Sequence, residues 1–182
     1  MNMFPAKPKP VDDEPLHAFS QCHAGILTQL QALSELPALM EAAARARSVA
    51  DQTQELFKHA VLEHHAEEES ELFPAVLRSA HPGEEHGRVQ ALVDRLTAEH
   101  RTLEALWKRI EASVSAGARG KAADIDTAVV AELVRAYSAH ARFEEDHFLP
   151  LSQEILGRNG NHMAALGLSL HMRHVPPPVG YI

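Results

Sequence analysis

Two segments of this chain repeat one pattern, in which a glutamate follows a histidine by four residues and a proline closes the segment six residues later. Aligning the two prolines pairs His64 with His140 and Glu68 with Glu144. On an α-helix, residues four apart lie one turn apart on the same face. The histidine and carboxylate of each segment can therefore converge on one metal ion, and the carboxylate can bridge to a second.

Each segment also has a lone histidine upstream at nearly the same distance. His23 lies 41 residues before His64, and His100 lies 40 residues before His140. The chain is therefore interpreted as two copies of one helical pair. Spacing alone does not select the ligands, because His-x-x-x-Glu occurs six times in the sequence.

The apolar periodicity predicts four long helices with mostly short connections. Pro37 ends the first helix, the turn around Gly83 follows the second, and the glycines near residue 120 follow the third. Asp124 is a suitable N-cap for the fourth helix. The fold class is therefore all-α, an up-down-up-down four-helix bundle with a short C-terminal helix. The predicted helices are residues 15–36, 49–73, 84–114, 124–149 and 161–172. Residues 38–47 either extend the first helix or form a short separate one. The predicted domain covers residues 15–174, between a disordered N-terminal arm (1–14) and a C-terminal tail (175–182).

The apolar faces of these helices select among the histidines. His23, His100, His140 and Glu144 each fall in the middle of an apolar stripe. On the second helix, the pairs His64/Glu68 and His65/Glu69 both border the apolar face, and the repeat alignment favours the first pair. Burying unpartnered carboxylates costs several kcal/mol, which a bound cation would offset.

Two further residues remain open as ligands. Glu104 lies one turn after His100 on the same face, and His65 would add another nitrogen. The other acidic residues of the two repeated segments are assigned to a solvated face. These are Glu67, Glu69, Glu71, Glu145 and Asp146.

Charge and composition exclude several classes of partner. The formal charge of −8 argues against binding to nucleic acid and to anionic membranes, because both need a cationic face. No run approaches the roughly 20 apolar residues of a membrane span, and no secretory leader is visible at the N-terminus. With the single cysteine Cys22, this predicts a cytoplasmic protein without an internal disulfide. Composition also allows a homodimer.

These motifs resemble the hemerythrin-like (HHE cation-binding) family. The resemblance spans residues 15–155, and the residues that carry it are His23, His64-x-x-x-Glu68 before Leu72-Phe73-Pro74, Glu99-His100, and His140-x-x-x-Glu144 before Leu149-Pro150. It implies a non-haem di-iron centre, with the four histidines as terminal ligands and Glu68 and Glu144 as bridges. Oxygen-carrying members have a histidine where this chain has Glu104, and a wider last motif. Both departures favour the bacterial branch.

The chemistry of the ligand set agrees with this resemblance. Imidazole with carboxylate suits iron, and also manganese or zinc. The expected cofactor is two iron ions with an oxo or hydroxo bridge, whose open positions would bind or sense O2, NO or iron, with peroxide as another small ligand. Two alternatives stay open. One is a di-iron oxidoreductase that acts on peroxide or NO or in iron-centre repair, and the other is a structural or mononuclear metal site in a signalling bundle.

Overall fold

The structure is a computed structural model that describes residues 14–158, with side-chain burial from residue 21 onward. The chain divides into two compact units, one ending at Arg45 and the other beginning at Ala46. The described residues are helical and contain no strand, which confirms the all-α class. The bundle of four helices stays a prediction. The predicted arm before residue 14, the helix at 161–172 and the tail at 175–182 lie outside the described residues.

The first helix, α1, is longer than the sequence predicts. It covers Glu14–Glu55 without interruption and includes Pro37. The alternative in which residues 38–47 extend the first helix is therefore confirmed, whereas the predicted break at Pro37 and the separate helix starting at residue 49 are wrong. A proline inside a helix removes one hydrogen bond to the carbonyl of the residue four before it. That carbonyl belongs to Leu33, an exposed residue, so water can take the place of the missing N–H.

In the unit that begins at Ala46, three helical stretches carry most of the buried residues. The first continues from α1 through two turns of π-helix, the second is one long α-helix, and the third contains another π turn. The elements are π1 (Leu56–Val61), α2 (Leu62–Glu67), π2 (Glu68–Leu72), α3 (Phe73–Ser79), α4 (Glu84–Ala118), α5 (Thr127–Phe143), π3 (Glu144–Phe148) and α6 (Leu149–Gly157).

The connections between these stretches follow local sequence chemistry. Gly83 has φ 102° immediately before α4, a conformation that glycine adopts without strain. The N-cap of α5 is Asp126, whose carboxylate accepts hydrogen bonds from the N–H groups of Ala128 (2.9 Å) and Val129 (3.1 Å). The predicted cap at Asp124 is therefore wrong by two residues, since the aspartate nearer to the apolar run satisfies the first free N–H groups.

Two separate clusters of buried apolar side chains form the core of this unit. The first apolar cluster includes Phe57 and Trp107, whose rings stack with centroids 4.1 Å apart. The second includes Phe73 and Phe148, which meet edge to face at 5.0 Å. The predicted apolar stripe around His100 on α4 is confirmed, because its five members are all buried: Val89, Val93, Leu96, Leu103 and Trp107.

A polar layer lies between the two apolar clusters along each of the three helical stretches. On α4, His100 follows the residues of the second apolar cluster and precedes those of the first. His140 and Glu144 hold the same place between Leu133 and Phe148 on the third stretch. The fold thus brings histidines and carboxylates to one level. Within the described residues, no helix is long and apolar enough to cross a membrane.

Candidate metal centre

The polar layer contains two groups of side chains that offer metal-ligand atoms. One group is His65, His100 and His140, which are all buried. The other is His64, Glu68 and Glu144, of which only His64 is partly exposed. Within each group the ligand atoms lie within 4.8 Å of one another, which is close enough for a single ion to contact all three.

The three histidines of the first group pack ring against ring. His65 and His100 are nearly parallel, with centroids 3.9 Å apart and an interplanar angle of 4°. His140 meets His100 edge to face at 4.9 Å. Burial, and then the neighbouring His100, lowers the pKa of His65 to about 3. His65 is therefore neutral at physiological pH, which is the form that binds a metal ion.

Glu68 joins the two groups. It is 2% exposed, and its two oxygens lie 3.3 Å from Nε2 of His64 and 3.3 Å from Nε2 of His100. Burial alone would raise the pKa of Glu68, but His100, Glu144 and His64 hold it below its usual value. One carboxylate thus faces a histidine of each group, as a bridging ligand requires.

Glu144 is the second buried carboxylate, and its pKa is shifted in the direction opposite to that of Glu68. Burial, and then the adjacent Glu68, raises the pKa of Glu144 to about 9. Two carboxylates in one enclosed layer cannot both stay ionised without a cation beside them. In the metal-free protein, Glu144 therefore keeps its proton and Glu68 carries the charge.

The donor atoms of this layer meet the requirements of a metal site. Among the described residues, six buried side-chain atoms make no hydrogen bond. Five belong to this layer: both ring nitrogens of His65, both oxygens of Glu68, and Nε2 of His100; the sixth is Oγ of Ser152 on α6. Buried polar atoms normally have a partner, and leaving one without a partner costs free energy. A cation would satisfy all five together, so the residues present fit a bound metal ion.

The two bridging candidates begin equivalent turns of π-helix. The N–H of Phe73 bonds to the carbonyl of Glu68 in π2, and the N–H of Leu149 bonds to the carbonyl of Glu144 in π3. Pro74 and Pro150 come next, and a proline ring clashes with the carbonyl four residues before it in a regular helix. The wider turn relieves that clash. Such turns are frequent at functional sites, and here they give both halves of the repeat one local backbone.

Two glutamates outside the groups contact the Nδ1 atoms of His100 and His140. Oε1 of Glu69 lies 2.9 Å from Nδ1 of His100, and Oε2 of Glu99 lies 3.1 Å from Nδ1 of His140. The predicted place of Glu69 on a solvated face is wrong, because its side chain is only 22% exposed. The sequence predicts no role in the site for Glu99. Periodicity contains no signal for either contact, since both cross from one helical stretch to another.

The remaining predicted ligands have different surroundings. Oε1 of Glu104 lies 3.5 Å from Nδ1 of His65 and accepts a hydrogen bond from Arg101, so this carboxylate lies beside the first group but outside it. His65, which the sequence left open, is a member of a group. His23 lies on α1 in the unit that ends at Arg45, and its side chain is exposed there. Its role as a ligand stays a prediction.

Comparison with known proteins agrees with this geometry. Residues 14–152 match the hemerythrin HHE cation binding domain. The chain belongs to this family. The hemerythrin match covers both groups of ligand atoms, so the chain is a hemerythrin-type domain whose histidines and glutamates can hold a metal cation.

Other comparisons give more distant likeness. An uncharacterized protein of Haemophilus influenzae is 26% identical over 160 residues, which are 84% of this chain and 90% of that relative. No solved structure matches the chain.

Proposed function

We propose that this hemerythrin-type domain binds two iron ions in its polar layer and uses them to bind or sense O2, NO or iron. The observation that carries this proposal is the position of Glu68. Its two buried oxygens face His64 of one group and His100 of the other. A carboxylate between two sets of ligand atoms is the arrangement that a pair of ions needs, and a single ion would contact only one of the two sets.

Each group would supply three ligands to one ion. His65, His100 and His140 would hold the first ion, and His64 and Glu144 would hold the second, with Glu68 between them. His23 and Glu104 remain proposed as additional ligands. Four or five protein ligands leave an octahedral ion with open positions. Iron bound there would supply redox chemistry and bind a small diatomic ligand at such a position.

The protein's own residues control water and protons at this layer. The apolar clusters on either side limit access of water. Phe73 of the second cluster packs against His100, with ring centroids 5.9 Å apart. Glu144 holds a proton in the metal-free state, because burial and Glu68 raise its pKa. Binding of a cation would release that proton, and so metal uptake and proton release are coupled.

Metal analysis of protein loaded anaerobically with iron tests this proposal. We expect two ions per chain, and a charge-transfer absorption band after exposure to air. His140→Ala and Glu68→Ala should lower both metal content and melting temperature. His59→Ala is a matched control, because His59 is exposed and its ion pairs are to Glu55 and Glu63, which lie outside both groups. Unchanged stoichiometry and stability in both site variants would refute the ligand set.

A mononuclear site is the second candidate, favoured by the first group itself. Three convergent imidazoles are a ligand set that zinc also uses. One zinc ion per chain, with no absorption band after reduction and exposure to air, would support this alternative against the pair of iron ions. Measured turnover of peroxide or NO no faster than that of free iron would exclude the oxidoreductase alternative.

A further inference from the structure

The outer nitrogens of two histidines in the first group face carboxylates. Nδ1 of His100 lies 2.9 Å from Glu69, and Nδ1 of His140 lies 3.1 Å from Glu99. In each case Nδ1 is engaged by the hydrogen bond with the carboxylate, and Nε2 is left as the nitrogen available to a metal. For His100 that atom is 3.3 Å from the bridging candidate Glu68 and makes no hydrogen bond among the described residues.

Each of these carboxylates is held in turn by an arginine. Arg101 pairs with Glu69, and Arg95 lies 2.7 Å from Glu99. Both arginines are 55% exposed, whereas His100 and His140 are buried. The guanidinium of Arg95 also lies over the ring of Phe143, 3.4 Å from its centroid. The same arginine–glutamate–histidine series therefore occurs twice, from the surface to the polar layer.

The two series have equivalent places relative to the site. Glu69 follows Glu68 in the chain and reaches across from π2 to α4, and Glu99 precedes His100 and reaches across from α4 to α5. Each links two helical stretches beside one buried histidine. Surface ion pairs alone contribute little to stability, and so the repeated contact to a buried ring nitrogen needs another reason.

We propose that Glu69 and Glu99 are positioning residues for metal binding, which fix the tautomer and orientation of His100 and His140. This inference rests on the proposed metal function. A carboxylate that accepts from one ring nitrogen makes the other a stronger ligand and holds the ring in place. Arg101 and Arg95 hold the two carboxylates in place through their ion pairs.

Zinc affinity provides the test, because Zn²⁺ binds such ligands without redox change. The affinity of the full chain would be measured by chelator competition for wild type, Glu69→Ala and Glu99→Ala. Each substitution should weaken binding by about 10- to 100-fold, the range found for partners behind metal ligands. Glu111→Ala is the matched control, since Glu111 forms an exposed pair with Lys108 on the same helix as Glu99. Its affinity should equal that of wild type.

The glutamine variants separate positioning from simple ion pairing. An amide oxygen still accepts a hydrogen bond from Nδ1, but it cannot form an ion pair with arginine. Glu69→Gln and Glu99→Gln should therefore recover part of the lost affinity, whereas a purely structural ion pair would show no recovery. Should an alanine variant fail to fold, its glutamine variant carries the test through hydrogen exchange of the Nδ1–H in the zinc-loaded protein: exchange as slow as in wild type supports the positioning role, and rapid exchange refutes it.

Two outcomes separate this inference from the function beneath it. If wild type binds neither zinc nor iron, both the metal function and the positioning role are wrong. If wild type binds zinc and the alanine variants bind it equally well, the positioning role alone is wrong. Proton NMR of the zinc-loaded protein gives an independent readout, because the Nδ1–H of His100 should exchange slowly with water in wild type and rapidly in Glu69→Ala.

Discussion

Replacing Glu144 by glutamine should stabilise the metal-free protein and weaken metal binding. Burial, followed by the adjacent Glu68, raises the pKa of Glu144 from 4.5 to about 9. At pH 7 the metal-free fold must therefore hold a proton that the unfolded chain releases, at a cost of about 3 kcal/mol. Glutamine has nearly the same shape and needs no proton, so the variant should gain about that amount.

The pH dependence gives the sign of this effect. A carboxyl group whose pKa is raised in the folded state binds more protons there than in the unfolded chain, so wild-type stability should fall as the pH rises from about 4.5 to about 9. The variant should lack that fall. Urea denaturation of both metal-free proteins should give similar free energies of unfolding near pH 4 and diverging values at pH 7 and 8.

Metal addition should reverse the order of stability. Bound iron or zinc stabilises the folded state by an amount that grows with the logarithm of its affinity, and Glu144→Gln removes one anionic ligand. Wild type should therefore gain more in melting temperature than the variant. Asp146→Asn, at an exposed position two residues further on, should change neither quantity. A metal-free Glu144→Gln protein that is less stable than wild type at pH 7 would refute the reasoning.

Three other predictions concern the site, the core and the surface. His65→Ala should lower metal affinity more than His59→Ala in a chelator competition, because both nitrogens of His65 are buried without a hydrogen bond among the described residues. Leu96→Ala, at a fully buried position of the second apolar cluster, should cost about 2–5 kcal/mol in the free energy of unfolding. Arg158 and the N–H of His81 lower the pKa of Glu85 to about 2. Glu85→Gln should therefore be less stable than wild type at pH 7, with the difference disappearing as the pH falls from about 4.5 toward 2 in thermal melts.

Much of the fold follows from local rules that the sequence displays. The apolar stripe around His100 on α4 and the turn at Gly83 were predictable, because periodicity and glycine each have one strong interpretation. Pro37 was misleading, since a proline inside an exposed helix costs a hydrogen bond without forcing the helix to end. The cap at Asp126 was missed because two aspartates lie near the start of one apolar run.

The site was harder to predict from sequence, for a geometric reason. A helical wheel drawn at 100° per residue assumes a regular α-helix, but π2 begins at Glu68 and widens the turn. The buried residues Glu68 and Phe73 are five positions apart, so a helical wheel drawn at 100° per residue no longer places the buried residues on one face. This explains why periodicity did not separate His64 from His65. The repeat alignment selected Glu68 because it compares two segments with the same distortion.

The division of the core into two apolar clusters has a consequence for cooperativity. Every helical stretch of this unit crosses from one cluster to the other through the polar layer of histidines and glutamates. The two ends are thus joined by a layer in which five buried polar atoms make no hydrogen bond among the described residues. A bound cation would link the three helical stretches at the polar layer, so that the two apolar clusters unfold together. Amide hydrogen exchange would then report the state of the centre at residues far from any ligand.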